Sequence, residues 1–280
     1  MGRSSIARRA IRYLFRNGYS NPENDGTVSP GSPLNLYHLP RKTWRVFGVL
    51  RGVYFDRRFD RQHNVDTSGA IYLRELDIDN ENIQYGELYD PLPYRSFKHV
   101  MGLLPRDVSD RIFVDYGSGK GRILLIASEY AFKKIVGVEF SKQLHDIAAA
   151  NIAAYRNSKQ KCFDIESLHV DATEFQVPDG ECVFFLFAPF GGEVLECVLK
   201  NIKQSYLDNP RDMTLMWVTD PGTHPIPWDL FREIGVLREI RSGIFPFDLA
   251  KRYPIEYVVF VAKQAEVVED DTNVLAHAEQ

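Results

Sequence analysis

Between Ile112 and Arg122 the chain reads I-F-V-D-Y-G-S-G-K-G-R, an aspartate (Asp115) followed by three alternate glycines, Gly117, Gly119 and Gly121. Glycine tolerates positive φ and lets the main chain approach a ligand, so such a loop can press N–H groups and a helix N-terminus against a nucleotide-like molecule. Glu139, about twenty residues beyond Gly119, stands where nucleotide-binding sheets place a carboxylate that accepts from ribose hydroxyls. Asp220 and His224 are the other chemistry-bearing pair, a carboxylate and a base that titrates near neutral pH. For each of the two, a turn-forming or helix-capping role is the competing explanation.

The elements around these residues alternate between strand and helix. Ile112-Phe113-Val114 suits a strand buried on both faces, and the run from Gly121 to Ala127 a core-facing helix. Lys134 to Glu139 forms a second strand ending in its acid, followed by a helix from Ser141 to about Tyr155. Ile165 to Val170 gives a third strand ending in Asp171-Ala172, and Cys182 to Phe187 a fourth running into Ala188-Pro189-Phe190. A helix from Glu193 to Ser205 and a strand from Met213 to Thr219 lead to the Asp220–Pro225 loop. Ile244 to Phe247 and Tyr257 to Ala262 are expected to complete the sheet. Ligands of open α/β sheets sit beyond the carboxyl ends of the strands, which places all the acids and His224 on one edge.

The spacing is G-x-G-x-G. A dinucleotide fingerprint needs its third glycine at position 122, where this chain has Arg122, so an NAD-dependent oxidoreductase is the less favoured reading. The run Asp115-Tyr116-Gly117-Ser118-Gly119-Lys120-Gly121, taken with Glu139, Asp171-Ala172 and Leu186 to Phe190, resembles class I S-adenosylmethionine (SAM) dependent methyltransferases. From Phe55 to Lys263 the likeness is to a bacterial group of undefined substrate, and Tyr85-Gly86-Glu87 with Phe187-Ala188 is similar to non-SET lysine methyltransferases.

The resemblance implies a Rossmann-like, doubly wound sheet, mostly parallel with one antiparallel strand, and SAM as cofactor with S-adenosylhomocysteine (SAH) as product. It implies a cofactor site of Tyr89, Asp115, Gly117, Ser118, Gly119, Gly121, Glu139, Asp171, Ala172 and Phe187, no metal, and a reactive edge of Phe190, Asp220 and His224. Many amine-methylating relatives carry Asn or Asp before the Pro-Phe step; this chain has Ala188, so methylation of an amine stands beside other nucleophiles and beside SAM binding without turnover.

The remaining chain of 280 residues supports this reading without narrowing the acceptor. Net charge is −4, which gives no general attraction to nucleic acid or anionic membranes. From Met1 to Gly52, however, nine bases face two acids, a local +7 that leaves −11 for the rest. Ile6, Ala10, Ile11 and Leu14 line one helical face of this arm. It reads as a docked helix, as a contact surface for an acidic partner or membrane, or as an organellar transit peptide. Three widely spaced cysteines suggest neither disulfides nor zinc and fit a reducing cytosol, and no apolar run is long enough to span a membrane. The expected organisation is an arm and linker over 1–33, a lid or cap over 34–104, a SAM-binding domain over 105–263 and a mobile acidic tail over 264–280.

Overall fold

Seven strands, β1 (Ile112–Tyr116), β2 (Lys134–Glu139), β3 (Ile165–His169), β4 (Cys182–Phe187), β5 (Met213–Thr219), β6 (Leu237–Ile244) and β7 (Glu256–Ala262), form one sheet in the order β3-β2-β1-β4-β5-β7-β6. β7 alone runs against its neighbours β5 and β6. This computed structural model describes residues 41–72, 76, 81–87, 89–104, 107–221, 224–245 and 255–262. The expected arm, linker and acidic tail, and Gly222-Thr223 of the loop after β5, lie outside them.

Alternation along the central strands explains why helices cover both faces. In β1, Val114 and Tyr116 point into a core shared with α5 (Gly192–Asp208) and α6 (Trp228–Ile234), while Phe113 points into the opposite core with α2 (Tyr94–Met101) and α3 (Arg122–Ala127). α5 supplies Val194, Leu195, Val198, Leu199 and Ile202, the spacing of a helix with one apolar stripe. On the other side Phe97 of α2 stands edge-on to Phe113 and Phe185, at 5.9 and 5.2 Å between ring centres. Fully burying such a side chain contributes about 1.5–3 kcal/mol, so α2 belongs to the sheet's own core. α4 (Lys142–Ala154) is capped by Ser141, whose hydroxyl accepts from the Leu144 N–H, and packs along β3 and β2.

Three elements depart from the sequence expectation. The strand expected at Ile244 to Phe247 is β6, and it runs from Leu237 to Ile244. As an edge strand mostly exposed, with Arg238, Glu239 and Arg241 in its middle, it lacks the apolar run by which a strand is found. α6 was not anticipated, being seven residues between Pro227 and Gly235. α1 (Arg41–His63) is a long helix where the mixture of aromatic and basic residues suggested no element.

Candidate functional site

The strand order reverses between β1 and β4, and a cavity of about 670 Å³ opens beyond their carboxyl ends. The end of β1 contributes Asp115, Gly117, Ser118 and Gly119, β2 contributes Glu139, and the end of β3 contributes Asp171 and Ala172. On the far side lie Phe187, Ala188, Pro189 and Phe190 after β4, then Asp220 and His224 after β5. Tyr89 closes it from above the loop. Of the residues singled out in the sequence, Gly121 alone does not line the cavity; it caps α3 at φ +80° behind the loop.

The glycine loop owes its composition to packing as much as to a ligand. All three glycines have positive φ. A Cβ on Gly117 would collide with Pro189, one on Gly119 with the ring of Tyr89, and one on Gly121 would press on the Ala148 Cβ at 3.2 Å. The loop is thus the meeting point of the β4 exit, the upstream segment and α4, and glycine is required where each arrives. Its amides are partly committed: Val138 C=O accepts from the N–H groups of Gly117 and Ser118. The Gly119 N–H donates to Glu139 Oε2 at 2.8 Å, and Ser141 N–H to Oε1 at 2.9 Å.

Those two hydrogen bonds fix the Glu139 carboxylate and leave each oxygen a second lone pair. Burial pushes its pKa up to about 7 against the opposing pull of the amides. Asp115, buried beside it, is raised well above the carboxylate range by desolvation and by the charge of Glu139. Asp171 accepts from the N–H and hydroxyl of Thr173 through Oδ1 and from Asn82 Nδ2 through Oδ2, so it is also held rigidly. The Ser118 hydroxyl is buried with no hydrogen-bond partner among the described residues. It packs against Gly137 of β2, and the cavity itself falls within the ~300–1,000 Å³ of cofactor sites.

A single segment upstream of the sheet crosses the cavity. Asn82 reaches Asp171 beyond β3, and Gly86 bridges to Phe190 beyond β4, with Glu87 N–H donating to Pro189 C=O and Gly191 N–H to Tyr85 C=O. Glu87 Oε1 lies 2.8 Å from His224 Nε2 beyond β5, and the Tyr89 ring covers Gly119 beyond β1. The His224 backbone is itself fixed, its N–H on Asp220 C=O and its C=O accepting from the Thr219 hydroxyl. The Glu87 hydrogen bond raises the pKa of His224 above its ordinary value, with Asp220 adding to the effect. Phe190 stands edge-on to Tyr116 at 6.5 Å, and Ala188 before it is held at φ +35°.

Five parallel strands in the order β3-β2-β1-β4-β5, an antiparallel β7 inserted before β6, and an acid at the end of β2 facing a glycine loop after β1 decide the architecture. The fold is that of class I SAM-dependent methyltransferases. No family model matches the sequence, and no curated protein does either. Among solved structures the chain is similar to TrmN from Thermus thermophilus, with 14% identity, 61% of this chain and 48% of that one covered, and a TM-score of 0.43. It thus spans about half the length of TrmN. TrmK from M. capricolum, solved with SAH, gives 12% identity, 62% and 70% coverage and 0.45; the precorrin-6y C5,15-methyltransferase of Geobacter metallireducens gives 13%, 69% and 96%, and 0.45. The methyltransferase fold stands on the strand order itself.

Some site residues escape sequence reasoning. Glu87 was visible only as part of a motif, Asn82 only as the edge of a polar turn, and Arg122 only as the residue that spoils a dinucleotide fingerprint. Arg122 is in fact buried, bonded to Asp56 and Thr67. The available signal was the i, i+4 pair Asp56 and Asp60, which places two carboxylates on one face of a helix.

Proposed function

We propose that the protein is a SAM-dependent methyltransferase whose acceptor is an amine, on a protein lysine or a small molecule. The observation that carries the cofactor is Glu139, a buried carboxylate at the end of β2 with both oxygens oriented by main-chain amides and able to accept further hydroxyl donors. Asp115, Ser118 and Gly119 would hold the methionine end, and Asp171 with Ala172 the base. When bound, SAM supplies an electrophilic methyl group on a sulfonium sulfur, so no metal is needed for activation.

The rest is alignment and proton management, and alignment alone can supply roughly 7–11 kcal/mol. Phe187 and Phe190 give the cavity an aromatic wall against which a cation is favoured. Glu87, Asp90 and Asp220 make its mouth acidic, which attracts a protonated amine and disfavours phosphate-bearing acceptors. The amine must lose a proton before its lone pair can attack the methyl carbon as the carbon–sulfur bond breaks. With Nε2 held by Glu87, Nδ1 of His224 is the nitrogen that takes that proton, directly or through water.

Thermal stabilisation by SAH and not by NAD is the expected result for the cofactor; ligand at 100 times its dissociation constant adds about 2.7 kcal/mol. Incubation with methyl-labelled SAM and a cell extract should place label in protein or amine fractions. Label in RNA, or in a carboxylate or phenol, would end the amine assignment while leaving the methyltransferase intact.

A further inference from the structure

Arg122 opens α3 immediately behind the glycine loop and borders the cavity, yet its side chain is only 3% exposed and its guanidinium is engaged by the upstream segment. Nη1 pairs with Asp56 Oδ1, Nη2 donates to the Asp56 carbonyl at 3.2 Å and approaches Asp60 Oδ1 at 3.7 Å, and the Phe59 ring lies 4.9 Å from the guanidinium carbon. Nε donates to the Thr67 hydroxyl at 2.9 Å. That hydroxyl donates in turn to Asp60 Oδ1 at 2.6 Å, and Asp60 Oδ2 accepts from Ser68 N–H at 2.7 Å. Thr67 is fully buried, and its carbonyl accepts from the Tyr89 hydroxyl at 2.7 Å.

Lys120, on the other side of Gly121, grips the same short segment. Its ammonium donates to Asp66 Oδ1 and to Ser68 C=O, both at 3.0 Å. Asn151 of α4 ties the two together, its side chain donating to the carbonyls of Lys120 and Asp66 and accepting from Asp66 N–H. Farther along, Ile71 and Tyr89 exchange main-chain hydrogen bonds at 3.0 Å. Residues 66–71 are therefore a splint. One end is fixed to the glycine loop by two cations, and the other carries Tyr89, whose ring rests in the space that Gly119 leaves by having no Cβ.

We infer that Arg122 is a positioning residue for the cofactor site, acting through Thr67 to hold the Tyr89 ring on Gly119 and so to set the conformation of the loop that receives the ligand. The inference rests on the proposed SAM site, and it ties α1 and residues 56–71 to that site through Tyr89, whose ring meets Gly119. Charge alone does not do this. Arginine is required because three of its nitrogens are used in fixed directions, a geometry that lysine cannot reproduce.

The test uses the full chain and two readouts. A tyrosine ring lying on a glycine shifts the resonances of that residue, so the ¹H chemical shifts of Gly119 report whether the ring is seated; calorimetry with SAH reports the site. Arg122→Met and Arg122→Lys should both release the Gly119 shift while amides of β7 stay in place, and SAH affinity should fall about ten-fold. Tyr89→Phe, which loses only the bond to Thr67, serves where an Arg122 variant fails to fold, and should give the same changes at smaller size, about three-fold in affinity. Folded variants with the Gly119 shift and SAH affinity within two-fold of wild type would overturn the inference. If the wild-type protein does not bind SAH, the proposed function falls, and the Gly119 shift alone then decides: released in the variants, the splint stands; retained, it does not.

Discussion

The two halves of the cavity are built on different principles. On the side of β1 to β3 every carboxylate is fixed: Glu139 by the amides of Gly119 and Ser141, Asp171 by Thr173 and Asn82, and Asp115 by burial beneath the loop. On the side of β4 and β5, Glu87 and His224 are both more than a third exposed and meet each other across the opening. The first half has one shape to present, as a site for an invariant ligand should. The second can exchange partners, which suits an acceptor that must arrive and leave with a different number of protons. Electrostatic contacts hold more firmly in the buried half, where solvent screens them least.

Breaking the fixed half should have the largest effect. Gly119→Val puts a β-branched residue at φ +54° against the Tyr89 ring, and a strained φ with a steric clash should cost about 2–3 kcal/mol of stability and abolish measurable SAH binding. A normal melting temperature with normal calorimetry would show that the loop is looser than described.

Glu139→Ala should keep the fold and weaken SAH by about 10–100-fold, the loss of charge-assisted hydrogen bonds worth roughly 1.5–3 kcal/mol. Its pH signature is sharper. The Glu139 carboxyl titrates at about 7 in the folded protein against an ordinary value of 4.5, so ionising it opposes folding: the ligand-free protein loses stability as pH rises from about 4.5 through 7. Hydroxyl donors favour the ionised form, so SAH affinity should rise with pH and level off above about 7. Below that pH it should fall by up to about ten-fold per unit. Glu139→Gln should flatten the profile, and an unchanged slope in that variant would assign the proton to another group.

The adaptable half should respond in turnover and not in cofactor affinity. His224→Ala is expected to lower methyl transfer about 100–10,000-fold, the usual worth of a positioned base, and Asp220→Asn to lower it less, with the dissociation constant of SAH within about two-fold of wild type in both. Turnover in the unmodified protein should rise with pH through the raised pKa of His224, and Glu87→Gln should move that limb to lower pH by replacing the charged acceptor with a neutral one. Parallel losses in SAH binding and turnover would mean that the halves are not separable.

The smallest effect is expected from deleting residues 1–20, which should leave SAH affinity unchanged because the composition of 21–33 is that of a flexible linker. Deleting through Tyr94 also removes Asp56, Asp60, Thr67 and Tyr89, and should abolish binding.

Legibility in the sequence followed burial. β1, β2, β4 and β5 lie where the apolar runs place them, because central strands have no solvent face to dilute the pattern, and each of β1, β2 and β5 has an acid within one residue of its end. That is why Asp115, Glu139 and Asp220 could be named in advance and why the structure gathers them around one cavity. β6 failed the same test because an exposed edge strand carries charges in its middle. The glycines were found for an incomplete reason: their missing side chains were assigned to a ligand, whereas Pro189, Tyr89 and Ala148 take up the space. Nothing local to Lys120 or Arg122 says that their partners lie more than fifty residues upstream, since such pairing is decided by tertiary approach and not by spacing.

Ala188 holds a left-handed main-chain conformation that costs an alanine about 1–2 kcal/mol and that asparagine and aspartate adopt several-fold more readily. The peptide ahead of Pro189 is therefore already shaped for a residue the chain does not have. Ala188→Asn would relieve main-chain strain and add an amide oxygen at the lip of the cavity in one step. On the proposed function, main-chain strain and the polarity offered to the acceptor are then set by one residue.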